Sequence, residues 1–427
     1  MPEESLLTDD FIRQLMNVGE VDLLVGLPTH NNAETVGTVV QAIQTGILKN
    51  FTRERAVILN VDGGSKDTTC DVVTASSISD IRRAYNTHAL RTLPAISVRY
   101  GSSPSSETAL HTILAAADLV RAKACAVISP ESVTIEPEWV SRLLHPIYRE
   151  HYDYVAPLYR RPKFDGILVT NLIYPMTRAI YGQSVREPYP SEFGFSGDFG
   201  NQFLLSHNWR DEHGQFGTEL EMFLNAAGSG LKITQSFLGT KGRAENRSDD
   251  LVAAMRRTVG VLFLSMDANF ERWSADMSRY TGLAANPEYE IISDSSRVNR
   301  KRLKQMFSDG VSQLDSVLRS ILSPSTVGSL HQIAALDEES FRYPADLWAR
   351  TVYEFAASHH HSVMSRDHIV QALVPLYRGR ALTFMVENRN SSAMEIENSI
   401  ENLCGEFEQL RPYLLDAWND GKRGSHA

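Results

Sequence analysis

The sequence predicts an α/β fold, a mostly parallel sheet with helices between its strands, followed by a helical carboxyl-terminal region. Three observations predict it. Short apolar runs that do not alternate recur along the first half, as strands covered on both faces require; the clearest are Val21 to Pro28, Ala56 to Val61 and Ala124 to Ile128. Stretches of helical periodicity separate these runs. From about Asp249 the strand-like runs give way to helical spacing, with Met255, Val259, Leu262 and Phe263 on one face.

Residues 1–20 form an extension carrying Glu3, Glu4, Asp9 and Asp10, with no basic segment followed by a long apolar one, so it does not read as a signal peptide. Val21 to Pro28 is the first strand, and Thr29-His30-Asn31-Asn32 is a polar turn into a helix from about Ala33 to Thr45. That helix is read from the stripe Val36, Val39, Val40 and Ile43. Neither G-x-G-x-x-G nor a P-loop follows the strand, which argues against a dinucleotide site. The strand Ala56 to Val61 ends in Asp62-Gly63-Gly64. A carboxylate at a strand's carboxyl end, outside the core and followed by two glycines, is placed to meet a ligand closely. Ser65 or Asp67 can cap the helix that follows.

Pro94 to Tyr100 is a third strand, Thr108 to Ala122 a helix, and Ala124 to Ile128 a fourth strand that ends at Ser129-Pro130-Glu131-Ser132. Ile135 to Val140 opens a helix with proline in its first turn. Tyr152 to Arg161 leads into Lys163-Phe164-Asp165-Gly166, and Leu220, Phe223, Leu224 and Ala227 form the stripe of a helix over 220–228. A last strand, Leu231 to Leu238, ends in Gly239-Thr240-Lys241-Gly242-Arg243. The expected organisation is therefore an extension over 1–20, a ligand-binding domain over 21–248 and a helical domain over 249–427.

With 427 residues and 42% hydrophobic content the chain can bury a substantial core and is expected to form more than one domain. A formal net charge of -10, without a basic stripe, disfavours nucleic acid and anionic membranes as partners. Arg300 to Lys304 reads as a solvated helix face. Cys70, Cys125 and Cys404 lie far apart and lack C-x-x-C spacing, so free thiols in a reducing compartment, and a cytoplasmic location, are expected. No apolar run reaches the roughly 18 residues of a membrane span.

Gly26-Leu27-Pro28-Thr29-His30-Asn31-Asn32-Ala33 and Asn60-Val61-Asp62-Gly63-Gly64-Ser65-Lys66-Asp67-Thr68-Thr69 together resemble the first two nucleotide-contacting segments of GT-A glycosyltransferases. Within that Rossmann-like fold the chain looks most like the glucosylglycerate and glucosyl-3-phosphoglycerate synthases. The likeness continues through Tyr152 to Gly166, Asn171, Tyr174-Pro175, Arg178 and Tyr181-Gly182, and returns in Leu373 to Arg380. It implies that Pro28, Thr29, Asn31, Asn32, Asp62, Gly63 and Gly64 hold a nucleoside.

The same resemblance implies a D-x-D metal motif at Ser129-Pro130-Glu131, where only Glu131 remains a carboxylate, so the motif is degenerate. A glycine-lysine-glycine element is replaced by Ser105-Ser106-Glu107-Thr108. A glycine-glycine-aspartate loop reads Pro190-Ser191-Glu192, and a glycine-x-aspartate element reads Gly217-Thr218-Glu219. Arg243 stands where the family has a metal-binding histidine, and arginine geometry suits phosphate oxygens. Glu192 and Glu219 are the implied catalytic carboxylates, although Glu219 also reads as a partner of its helix dipole.

Two functions follow as expectations. One is a hexosyltransferase using a nucleotide-diphosphate sugar and a small polar, glycerate-like acceptor, retaining by resemblance. Glu131 would meet the ribose and diphosphate and Lys241 with Arg243 the phosphates, with Mg2+ or Mn2+ disfavoured. The other is a catalytically inactive relative acting as a nucleotide-sugar sensor or protein scaffold. A homodimer through the helical part is expected from the family and from Trp348, Tyr353, Phe355 and Tyr377, residues that also read as ordinary core. Tyr174, Tyr181 and Trp139 read as core aromatics, and His359-His360-His361 as an exposed helix end.

Overall fold

The computed structural model describes residues 7–84, 93–100, 105–207, 209, 217–241, 251–275, 291–292 and 299–420. The chain groups into two compact units, one from 1–159 with 189–247 and one from 160–188 with 248–427.

The first unit is the α/β unit. It carries α1 (Asp9–Val18), β1 (Leu23–Thr29), α2 (Val36–Asn50), β2 (Ala56–Asp62), α3 (Thr69–Ala84), β3 (Ala95–Arg99), α4 (Ser106–Leu119), β4 (Ala124–Val127) and α5 (Glu138–Glu150). β5 (Tyr154–Pro162) follows and continues into the residues of the second unit, where a π-helical turn (Val169–Ile173) precedes α6 (Tyr174–Tyr181). The chain returns to the first unit with β6 (Phe193–Ser196), α7 (Gly197–Ser206), α8 (Thr218–Ser229) and β7 (Ile233–Thr240).

The sheet runs β3-β2-β1-β4-β6-β5-β7. β1 is parallel to β2 and β4, and β2 is parallel to β3, so the expected mostly parallel sheet is present. β6 is antiparallel to β4 and to β5. The sequence pattern marks no strand over residues 193–196; the structure forms one there. Gly194 permits it, because a Cβ there would lie 2.6 Å from the Leu143 carbonyl oxygen of α5, closer than packed atoms approach.

On one face of the sheet, Val36, Val39, Val40, Ile43 and Ile47 of α2 and Val140, Leu143, Leu144 and Ile147 of α5 pack with Leu23, Val25, Leu27, Ile58 and Ala126. On the other face α4 comes close enough that a Cβ on Gly26 would meet Ile113 at 2.6 Å. Cover on both faces explains why β2 is apolar at consecutive positions and buried along its whole length. Each such aliphatic side chain contributes roughly 1.5–3 kcal/mol on burial.

The second unit is helical beyond α6. It adds α9 (Leu251–Met255), a π-turn, α10 (Val261–Ala268), α11 (Phe270–Ser274) and the two-residue β8 (Ile291–Ile292), which pairs with Arg161 and Pro162 of β5. Then come α12 (Arg300–Gln313), α13 (Asp315–Ile321), α14 (Pro324–Ala335), α15 (Ala345–His360), α16 (Arg366–Glu387), α17 (Ala393–Gln409) and α18 (Arg411–Asp420). Trp348, Tyr353 and Phe355 are fully buried and Tyr377 nearly so, which makes them core of this unit and not a surface for a second copy. Trp139, Tyr174 and Tyr181 are core as well.

The histidine run is not an exposed helix end. His359 is 2% exposed and packs edge-on against Phe263, His360 meets Asp267 through Nδ1 at 2.6 Å, and the His361 Nε2 donates to the Ala417 carbonyl at 3.1 Å. No helix among the described residues is long and apolar enough to cross a membrane.

Candidate functional site

A cleft of about 500 Å³ opens at the carboxyl ends of β1, β3 and β4 in the first unit. Pro28, Thr29, His30 and Asn32 line it from the turn after β1, Tyr100, Ser105 and Ser106 from the β3–α4 connection, and Ser129 and Glu131 from the turn after β4. Tyr189, Pro190 and Ser191 close it ahead of β6, with Glu219 from the start of α8. Strand ends in an open α/β sheet gather polar groups on one rim because the helices leave there, and that rim is where ligands bind.

The turn after β1 is built by side chains that satisfy backbone. The His30 Nδ1–H donates to the Gly63 carbonyl at 3.0 Å while its Nε2 accepts from the Asn31 amide at 2.9 Å, which fixes the Nδ1-protonated tautomer. Asn31 is left-handed, with φ 54°, and its Oδ1 accepts from Lys66 N at 2.9 Å. The Asn32 Oδ1 accepts from His30 N at 2.7 Å, and its Nδ2 reaches Glu131 at 3.4 Å. Gly63 donates to the Thr29 carbonyl at 2.8 Å, and Gly64 takes φ 78°, a conformation that suits glycine.

Asp62 is fully buried and faces its own turn. Its carboxylate accepts from Ser65 N at 3.0 Å, from the Ser65 hydroxyl and from Arg99 Nε at 3.0 Å, with the Thr29 hydroxyl at 3.4 Å. Burial pushes its pKa up, but the bonds from Ser65 and Arg99 outweigh that and hold it below the usual carboxylate range. The expectation of a carboxylate outside the core is corrected here: Asp62 clamps β2 to its turn and to β3. Asp67, not Ser65, caps α3, accepting from Thr69 N at 3.0 Å.

Glu192 is also fully buried. It accepts from the Ser132 and Tyr159 hydroxyls and from Lys241 Nζ at 3.3 Å. Lys241 donates as well to Ser191 at 3.2 Å and stands 4.7 Å from the centre of the Tyr159 ring. The cationic group expected to meet phosphate is thus paired with the carboxylate expected to meet the sugar, behind the Ser191 wall of the cleft. Arg243 lies outside the described residues.

Of the expected site residues, Pro28, Thr29, Asn32, Glu131 and Glu219 line one cleft together. Asn31, Asp62, Gly63 and Gly64 form the turn supporting it, and the buried Glu192 pairs with the partly exposed Lys241. Sequence reading missed Arg99, Tyr100, Tyr159, Ser132 and Tyr189. Arg99 had a signal: with β3 parallel to β2, the last residue of β3 pairs with Asp62.

The donor set at the D-x-D position is reduced to a single carboxylate. The Ser129 hydroxyl accepts from Glu131 N at 3.3 Å, Glu131 is the one carboxylate of that turn, and the described residues hold no group of three or more His, Cys, Asp or Glu side chains arranged for a metal.

The sheet order defines an α/β fold with a cleft at the carboxyl edge of its strands. The chain resembles solved structures of glucosyl-3-phosphoglycerate synthase from Mycobacterium tuberculosis at low identity. Against the complex with phosphoglyceric acid the TM-score is 0.42 at 18% identity, over 62% of this chain and 85% of that one. Against the complex with Mg2+ and uridine diphosphate it is 0.43 at 20%, over 62% and 84%. A further solved mycobacterial protein gives 0.42 at 17%, over 65% and 82%. No family model matches the chain, and no curated protein matches it.

Proposed function

We propose that the chain is a glycosyltransferase that moves a hexose from a nucleotide-diphosphate sugar to a small polar, glycerate-like acceptor, with retention and without a metal. The carrying observation is the cleft: about 500 Å³, at the carboxyl ends of parallel strands, and lined by Thr29, Asn32, Glu131 and Glu219. That volume suits a ligand of this size. Asn32 and Glu131 supply an adjacent amide and carboxylate for nucleoside and ribose hydroxyls, and Glu219 stands at the start of α8 for the sugar or acceptor. The single carboxylate at Ser129-Pro130-Glu131 is what supports a metal-free reading.

A second reading, a nucleotide-sugar binder without turnover, is favoured by Glu192, whose carboxylate is fully buried and committed to Ser132, Tyr159 and Lys241. Calorimetry with a panel of nucleotide sugars, with and without chelator, tests both. Expected are binding of at least one sugar nucleotide, an affinity unchanged by chelator, and loss of binding in Ser106→Trp, which fills the cleft from an exposed position. Binding that appears only with manganese or magnesium overturns the metal-free reading; no binding at all overturns both. Hydrolysis or transfer of the bound donor with an acceptor panel then separates enzyme from binder.

A further inference from the structure

The second unit contains a cleft of its own, of about 350 Å³, that the function above does not use. It lies where the start of α15 (Pro344, Ala345) meets the late turns of α16 (Arg380, Glu387) and one face of α17 (Asn398, Asn402).

Arg380 is the residue that asks for a ligand. It is 3% exposed, yet among the described residues no carboxylate forms an ion pair with it. Its Nε–H donates to Asn171 Oδ1 at 3.2 Å and its Nη1 to the Tyr343 carbonyl at 3.0 Å, both neutral acceptors, and Nη2 has no hydrogen-bond partner among the described residues. Burial pulls its pKa down to about 10, against the opposing push of Glu387, so it is charged at neutral pH. A buried guanidinium without a hydrogen-bonded counter-charge is unfavourable. Its remaining donors, the second Nη1 hydrogen and those of Nη2, form the planar fork that matches an oxyanion.

An independent feature sits on the same wall. α15 is 16 residues long and begins at Ala345 after Pro344, which has no side-chain acceptor, and no side chain caps it. The first-turn N–H groups of such a helix favour an anion. The carboxylates nearby do not take that role. Glu395 is committed to its capping box, accepting from Ser392 N at 2.7 Å and from the Ser392 hydroxyl at 2.8 Å, and Glu387 is exposed at the rim.

We propose that this cleft binds a small hydroxylated molecule bearing an oxyanion, with the carboxylate or phosphate held by Arg380 and the start of α15. The hydroxyl groups of the ligand meet Glu387 and the amides of Asn398 and Asn402. The site is complete within the second unit and does not depend on nucleotide-sugar binding by the first.

Titration calorimetry of the full chain at fixed ionic strength, with sodium gluconate and with inorganic phosphate as probes and chloride as control, tests it. At least one probe is expected to bind; gluconate alone assigns a carboxylic acid, and phosphate alone a phosphorylated ligand. Arg380→Met risks the Asn171 and Tyr343 contacts, so the deciding variant is Asn402→Glu, an exposed cleft residue whose new carboxylate competes for the guanidinium. It is expected to weaken the probe at least tenfold, while Ser106→Trp in the first unit leaves the affinity unchanged. The proposal is overturned if neither probe binds better than chloride, or if Asn402→Glu binds the probe as tightly as the unaltered chain.

Discussion

Asp62→Ala is expected to destabilise the first unit before it affects any ligand. The carboxylate has no exposed surface and accepts from the amide and the hydroxyl of Ser65, itself 5% exposed. A hydrogen bond to a charged group is worth about 1.5–3 kcal/mol, and both Ser65 donors are stranded when the carboxylate goes. The Arg99 side chain is 60% exposed and returns to water, so its pair adds roughly 0–1 kcal/mol. Bonds that share one acceptor do not add fully, which places the loss near the low end, at about 3 kcal/mol. The measurement is urea-dependent hydrogen exchange of peptides covering 56–76, followed by calorimetry with the nucleotide sugar found to bind. The folded pKa lies below the ordinary carboxylate value, so the stabilisation is present above that ordinary value and lost as pH falls through the folded pKa. The Ala variant should lack this acid-side loss. A change below about 0.5 kcal/mol, with nucleotide affinity abolished, would refute the clamp and make Asp62 a ligand contact.

His359 carries a second pH dependence. Burial first, then Arg366 and His360, lower its pKa from 6.5 to about 4 against the pull of Asp267. A histidine buried neutral stabilises fully above 6.5 and loses that contribution as pH falls towards 4, on the order of 3 kcal/mol over the window; circular dichroism of urea unfolding across that range should show the slope in the native chain and a flatter one in His359→Gln. Gly194→Ala places a methyl 2.6 Å from the Leu143 carbonyl, so it should separate β6 from α5 and destabilise the first unit by about 1–3 kcal/mol, read as a lowered melting temperature; an unchanged value would mean that α5 yields freely.

The parallel half of the sheet was legible because burial on both faces forces consecutive apolar residues, and β1, β2 and β4 carry that signature over most of their lengths. β6 was not legible. Its four residues, Phe193-Gly194-Phe195-Ser196, are too short for periodicity to register, and the glycine that weakens a strand reading is there for the approach of α5. The grouping of 160–188 with the helical unit leaves no local mark either, since it depends on contacts distant in sequence: the Trp348 indole N–H donates to the Asn171 carbonyl at 2.7 Å, and Arg178 pairs with Glu401 and Glu408. At the site, residue types and strand ends could be read, whereas the inward turn of Asp62 and Glu192 could not. A carboxylate's direction is decided by its donors, and Tyr159 and Ser132 are 33 and 60 residues from Glu192.

The four carboxylates singled out in the sequence divide by burial, and that division constrains how a nucleotide sugar can be held. Asp62 and Glu192 are matched by protein donors before any ligand arrives, so a sugar hydroxyl meeting either one would only replace a donor already in place, with little net gain. Under the proposed function, the sugar hydroxyls meet Glu131 and Glu219, which line the cleft, and the Asn32 amide beside Glu131. Two acidic residues facing a cleft repel a diphosphate, and the Lys241 charge is largely offset by Glu192 at 3.3 Å. Recognition of the diphosphate without a metal then requires a cation beyond Lys241, and in the segment that follows β7 the sequence supplies Arg243. Under the proposed function, the nucleoside end meets a turn already rigid in its own hydrogen bonds, while the phosphate end depends on that additional charge.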